Sequence, residues 1–171
     1  MKNLSPMNFE EAMECAKVND WVERVNKSIE HNPFLEEAKT DDRCSFIIVN
    51  SGSYKDLHII VKDKEYSNVI GFYIGNTYSD GTFCVWEACC RKDSDGDDRV
   101  GDGGCIVEYE YKEGMTLDWL ISDLQKKVDT CPICGKKVGR ENMRGYSFAG
   151  RCCEECLPAM KKEYEYKGWY N

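Results

Sequence analysis

The chain has 171 residues and a mass of 19.7 kDa, of which 42% are hydrophobic and 32% charged, so it is large enough for one globular domain and a small module. A large multidomain enzyme is excluded. The formal charge of −8 and the isoelectric point near 4.9 disfavour non-specific binding to DNA, RNA or an anionic membrane.

Eleven cysteines, an odd number, are spread along the chain, and the first residues lead into acidic sequence without an apolar signal segment. We therefore expect an intracellular, cytoplasmic protein whose thiols are metal ligands or small core residues instead of disulfides. The longest apolar runs are too short to cross a bilayer, so no membrane anchoring is expected.

Two helices are predicted near the N-terminus. Apolar residues recur at helical spacing from Asn8 to about Lys17, and Glu11 lies where it completes a capping box with Asn8. Asp20 is the expected cap of a second helix, which should stop at residues 31–33 before Pro33. Together they suggest a helical hairpin.

The middle of the chain alternates short β-rich runs with turn residues. The predicted strands are 44–50, 57–62, 68–74, 82–91 and 104–112. Short connections favour an antiparallel meander, and Thr116 should cap a following helix with an apolar stripe that covers the sheet. The predicted fold class is α+β.

A change of composition near residue 130 predicts two parts. Residues 131–171 carry eight Lys and Arg against five Glu, a net charge of +3, whereas residues 1–130 carry a net charge of −11. We expect an acidic α+β body over residues 1–130 and a cysteine-rich module over residues 131–171 that packs on it.

The strongest motif is a pair of Cys-x-x-Cys sequences in that module. Cys131 and Cys134 form the first, and Cys153 and Cys156 the second after eighteen intervening residues. Each pair can wrap a tight turn that points both sulfurs at one tetrahedral zinc ion, at about 2.3 Å. Cys152 also lies close enough to compete for the third ligand position. The second pair should open a helix over residues 157–166.

This arrangement of a Cys-Pro-x-Cys-Gly turn, a hairpin and a second Cys-x-x-Cys at a helix start resembles a treble-clef zinc finger. The resemblance covers residues 131–166 and implies that Cys131, Cys134, Cys153 and Cys156 bind zinc. A site closed by four thiolates has no position for water or substrate, so the ion should be structural.

Five basic residues of the module could line one side of its hairpin and contact nucleic acid: Lys136, Lys137, Arg140, Arg144 and Arg151. This is the basis of one alternative function, a nucleic-acid-binding zinc finger. A solvated charged surface is the simpler interpretation.

Two further patterns are weaker. The acidic loop at residues 93–102 begins like a calcium loop but lacks its glycine and its final glutamate, so a solvated loop is favoured. Cys84, Cys89, Cys90 and Cys105 lack metal spacing and read as core residues. A cysteine-dependent enzyme is the second alternative function. Only His31 and His58 could serve its nucleophile as the general base.

The function that we favour from the sequence is non-enzymatic, a zinc-stabilised protein that acts by protein–protein interaction. The acidic charge suggests a narrower version, inhibition of a basic nucleic-acid-processing enzyme such as a CRISPR or restriction nuclease. In outline of size and charge the chain resembles small acidic inhibitors of phages and mobile elements, including anti-CRISPR proteins, and no motif supports this analogy.

Overall fold

The computed structural model of the protein describes residues 6–51, 54–66, 69–92, 98–146 and 150–166. The chain forms two compact units, Met1–Leu117 and Asp118–Asn171. The predicted division into parts at residue 130 stays a prediction. The α+β class, with N-terminal helices, a five-stranded antiparallel sheet and a C-terminal cysteine cluster, is confirmed.

The first unit begins with the predicted helix, α1 (Phe9–Val18), and its capping box is complete. The Glu11 amide donates to Oδ1 of Asn8 at 2.8 Å, and the Asn8 amide donates to Oε2 of Glu11 at 2.9 Å. These bonds satisfy two backbone donors that a helix start leaves open.

The second helix, α2 (Val22–Glu30), starts later than predicted, and Asp20 is not its cap. Asp20 has φ of 57°, in the left-handed region, and Trp21 occupies the N-cap position. Asp and Asn adopt this left-handed conformation more readily than most residues, which accounts for a polar side chain between the two helices. A short helix that the sequence did not predict, α3 (Leu35–Ala38), follows Pro33.

The predicted meander is present as one sheet in the order β1-β2-β3-β4-β5, with every neighbouring pair antiparallel. The strands are β1 (Cys44–Ser51), β2 (Tyr54–Tyr66), β3 (Val69–Ile74), β4 (Thr82–Lys92) and β5 (Asp98–Glu110). β5 begins six residues before the predicted start, because residues 98–103, read as loop from their Asp and Gly content, pair with β4.

Aromatic side chains join the N-terminal helices to the sheet. The rings of Phe9 and Phe46 lie 5.5 Å apart, and Phe34 meets the ring of Phe83 at 5.4 Å, each pair edge to face. Phe34 and Phe83 are fully buried. Edge-to-face contacts of this kind add to the stabilisation that apolar burial supplies.

The second unit contains most of α4 (Leu117–Asp129), a hairpin of β6 (Met143–Tyr146) and β7 (Gly150–Cys153), and α5 (Leu157–Tyr166). The predicted apolar stripe of α4 is buried at Leu117, Leu120, Ile121 and Leu124. No helix in the described part of the chain is long and apolar enough to cross a membrane.

Candidate metal centre

The first Cys-x-x-Cys sequence is closed into a turn by its own backbone. The Cys131 amide donates to the carbonyl of Lys136 at 2.8 Å, and the Gly135 amide donates to the carbonyl of Cys131 at 2.8 Å. Gly135 has φ of 72°, a conformation that costs a residue with a side chain about 1–2 kcal/mol. The glycine therefore lets the chain turn back beside the two cysteines.

The second Cys-x-x-Cys sequence spans the junction between the hairpin and α5. Cys153 is the last residue of β7, and a 3₁₀ turn over Glu154–Cys156 leads directly into α5. The helix predicted over residues 157–166 is confirmed at both ends. Strand end and helix start thus bring the two thiols of this pair to the same side.

The four sulfurs converge. Each Sγ of Cys131, Cys134, Cys153 and Cys156 lies within 4.8 Å of the others, and those of Cys134 and Cys153 are 3.7 Å apart. Four sulfurs at about 2.3 Å from one tetrahedral ion would be about 3.8 Å apart. The cluster therefore has the ligand number and nearly the spacing that a metal ion requires, and these four cysteines could hold one.

Backbone amides point at the sulfur of Cys131, which is fully buried. The Cys153 amide donates to it at 3.3 Å, and the amides of Cys134 and Ile133 also donate. Burial acts to raise the pKa of Cys131, but the three amide donors outweigh it and lower the pKa to about 6. An environment that stabilises a thiolate is the one that a metal-binding sulfur needs.

The pKa values of Cys153 and Cys156 shift the other way. Burial raises the pKa of Cys153, and the hydrogen bond with Cys153 followed by burial raises the pKa of Cys156. Thiols packed together cannot all be ionised next to one another, because like charges repel. A bound cation removes that repulsion, which fits the donor set to a metal.

Cys152, the alternative ligand, is not part of the four-sulfur group. It precedes Cys153 on β7, so strand alternation directs its side chain to the opposite face of the hairpin. Cys152 is fully buried in the apolar cluster of this unit, with Met160. Burial raises its pKa, which suits a core thiol.

Asp129 holds the start of the cysteine module together. Its carbonyl accepts the amides of Val138 at 2.9 Å and Gly139 at 3.1 Å, and its Oδ1 accepts the amide of Arg140 at 3.1 Å. On the outside, Nζ of Lys136 lies 2.5 Å from Oε2 of Glu155, which ties the two Cys-x-x-Cys sequences to each other. The sequence analysis did not identify these supporting contacts.

The five basic residues of the module do not share one free surface. Arg140 is 2% exposed, and Lys136 is ion-paired with Glu155. Nη1 of Arg144 donates to the backbone carbonyls of Glu141 and Met143 at 3.1 and 3.2 Å. Arg140 must therefore be removed from the proposed nucleic-acid surface, and the charge of Lys136 is partly cancelled.

The structure gives little support to the other sites predicted from the sequence. Among the described side chains, the four-cysteine group is the one set of three or more His, Cys, Asp or Glu residues placed to hold a metal. Residues 93–97 of the possible calcium loop, and the side chains of Cys90 and Cys105, lie outside the described residues. His58 packs against Tyr73 and Trp86, and His31 ends α2.

No protein-family model, no curated protein and no solved structure matches this chain. The outline analogy with anti-CRISPR proteins therefore has no support from relatives. A functional proposal has to rest on the geometry of the site and on the surface chemistry of the described residues.

Proposed function

We propose that the protein binds one structural zinc ion through Cys131, Cys134, Cys153 and Cys156, and that it acts without catalysis, by binding another protein. The observation that carries the proposal is the convergence of the four sulfurs within 4.8 Å. Four soft thiolates in a tetrahedral set suit zinc and iron, and two Cys-x-x-Cys pairs at this separation are typical of structural zinc.

The composition of the cysteine module, residues 131–166, supports a structural role for the ion. Its apolar cluster consists of Cys131, Cys152, Cys153 and Met160, with Val138, Cys156 and Leu157 packed around it. Four of these seven residues are cysteines, so little aliphatic surface remains within the module to drive its folding. In modules of this kind the free energy of metal binding supplies much of the folding free energy.

An exposed apolar side chain supports the binding part of the proposal. Ile133, at the tip of the first Cys-x-x-Cys turn, is 49% exposed on a turn that the metal would hold rigid. A rigid apolar tip loses little conformational freedom when a protein covers it. We therefore place the contact at Ile133 and its neighbours.

The narrower version, inhibition of a basic nucleic-acid-processing enzyme, depends on the acidic charge of the body. Several of these acids have partners within the chain, however: Glu11 caps α1, Glu36 pairs with Lys39, and Asp41 pairs with Arg43. Glu37 accepts the amide of Leu117 at 2.9 Å. Fewer carboxylates are therefore left to imitate nucleic acid, and the inhibitor remains the less supported version.

The test captures binding partners from a host lysate with tagged protein, with and without nuclease, and compares wild type with Ile133→Ser. Val18→Ser is the matched control, because Val18 is also an exposed aliphatic residue, at 78%, but lies on α1. The proposal expects a defined protein that survives nuclease, is lost with Ile133→Ser and is retained with Val18→Ser. Recovery that disappears with nuclease would favour the nucleic-acid alternative and contradict the proposal.

A further inference from the structure

A cavity of about 470 Å³ lies in the first unit. Its walls come from α2, from the start of β2, from residues 76–78 after β3 and from Trp86 of β4. Cavities of roughly 300–1,000 Å³ are the usual size for small-molecule sites. The surrounding elements belong to the sheet and the helix that packs against it, so the cavity is built on regular structure.

Hydrogen bonds preform two of the walls. Oγ of Ser28 on α2 accepts the Leu57 amide at 2.7 Å and the Asn76 side-chain amide at 2.7 Å. At the end of α2 the His31 carbonyl accepts the amide and hydroxyl of Thr77, at 2.8 and 2.6 Å. These bonds satisfy the polar groups of the wall and fix the helix to the sheet, so a ligand would not have to order the site.

Two aromatic rings form one side of the cavity. The rings of His58 on β2 and Trp86 on β4 are parallel within 1°, with centroids 6.2 Å apart. Trp86 also lies against Gly75, the residue that follows β3. A Cβ at Gly75 would lie 2.6 Å from a ring carbon of Trp86, so the indole rests directly on the glycine.

The charged side chains of the cavity are mostly basic, in a chain of net charge −8. Arg24, Lys27 and Lys55 line it, against the single carboxyl of Asp56. Lys55 is only 7% exposed, and its Nζ lies 5.6 Å from the ring centre of Trp21. The ion pair of Lys27 with Glu23, at 3.4 Å, is solvent-exposed and therefore weak. Cations held near an aromatic wall attract an anion with an apolar or aromatic part.

One buried polar atom in this wall has no partner. Nδ1 of His58 is inaccessible to solvent and makes no hydrogen bond within the described part of the chain. An unsatisfied buried nitrogen costs about 1–3 kcal/mol, so such groups are rare unless a ligand or water satisfies them. Because Nδ1 itself is closed to solvent, a ligand in the cavity would contact the ring of His58 and not this nitrogen.

We infer that this cavity binds a nucleotide-like anion, a phosphate ester that carries a heteroaromatic base. Arg24, Lys27 and Lys55 would bind the phosphate, and the base would stack on Trp86 beside the ring of His58. A free nucleoside monophosphate and a nucleotide within a single strand share this chemistry. The inference does not depend on the metal centre, which lies in the other unit.

The test titrates the full chain with adenosine, cytidine, guanosine and uridine monophosphates by calorimetry, beside the nucleosides, inorganic phosphate and a short single-stranded oligonucleotide. We expect saturable binding of at least one monophosphate, with its nucleoside and inorganic phosphate each at least tenfold weaker. Comparison with the oligonucleotide identifies the free nucleotide or the strand as the better source. Equal binding of nucleoside and monophosphate would overturn the phosphate assignment, and no saturation by any probe would overturn the inference.

Two variants locate the site. Arg24→Gln, on the exposed side of α2, should weaken binding about tenfold, because a charge-assisted hydrogen bond is lost. Lys17→Gln is the matched control, since it removes a positive charge from α1 outside the cavity and should change affinity less than twofold. In the wild-type chain the ring resonances of His58 should shift on saturation. Equal effects of the two substitutions, or an unmoved His58 resonance, would contradict the placement.

Discussion

The amide of Cys153 donates a hydrogen bond to Sγ of Cys131 at 3.3 Å, across 22 residues of sequence. This contact joins the two Cys-x-x-Cys sequences before any ion is considered, and it supplies the buried sulfur with a donor. A thiolate that accepts backbone amides is stabilised as an anion, so the fold favours the ionised form of the ligand that lies deepest. The backbone therefore prepares the cluster for a cation.

Removal of the metal should unfold residues 131–166 and leave the first unit folded. On the proposed structural role, the ion supplies folding free energy to this cysteine module, so the amides of Cys131, Gly135 and Cys153 should lose protection from hydrogen exchange when a chelator is added. Hydrogen exchange read by mass spectrometry checks this, with β1 and β2 as internal controls. Unchanged protection in residues 131–153 would show that the ion is not structural.

Gly135→Ala should weaken metal binding about tenfold, because alanine at φ of 72° costs about 1–2 kcal/mol in the folded turn. The matched control is Gly114→Ala. Gly114 has φ of 83°, and both glycines have open space where a Cβ would lie. The control should carry a similar conformational cost without any change of metal affinity. Competition titration with a chromophoric chelator measures both, and equal metal affinity in the two variants would contradict the prediction.

His58 should make the first unit less stable in acid. Burial lowers the pKa of His58 from 6.5 to about 4, so the unfolded chain takes up this proton more readily than the folded chain. The contribution of neutral His58 to the free energy of unfolding is fully present above pH 6.5. It is lost as the pH falls towards 4, by up to about 3 kcal/mol.

Denaturant unfolding at several pH values between 7.5 and 4, for wild type and His58→Gln, isolates this contribution. Asp56 beside it has a raised pKa caused by burial, and Lys55 carries a charge in the same wall, but both are present in both proteins. The difference in unfolding free energy between the two proteins should change with pH in the direction given above. A difference that is constant across this range would show that the imidazole is not desolvated.

Local signals in the sequence predicted those parts of the fold that neighbouring residues determine. Asn8 and Glu11 identified the start of α1, and the four ligand cysteines were identified by their spacing. Asp20 was misread because a polar residue before a helix fits both a cap and a left-handed turn, and only the backbone distinguishes them. The Cys-x-x-Cys spacing already placed Cys153 in the predicted set, with Cys152 left as an alternative, and strand alternation at the end of β7 separates the two side chains.

The cavity could not be predicted, because its residues are brought together only by the sheet. Arg24, Lys55, His58 and Trp86 lie on three elements and carry no common spacing. Gly75 gave no signal either, since its importance is the close approach of the indole of Trp86. Sites assembled from neighbouring strands depend on register, which the sequence pattern specified only coarsely.

The central claim, a zinc ion on four particular cysteines, is tested most directly by native mass spectrometry and elemental analysis of wild type, Cys153→Ser and Cys152→Ser. The two serine variants remove adjacent thiols, of which only Cys153 belongs to the four-sulfur group. We predict one zinc per chain in wild type and in Cys152→Ser, and strongly reduced zinc in Cys153→Ser. A wild-type chain without zinc, or zinc lost from Cys152→Ser and kept by Cys153→Ser, would contradict the account.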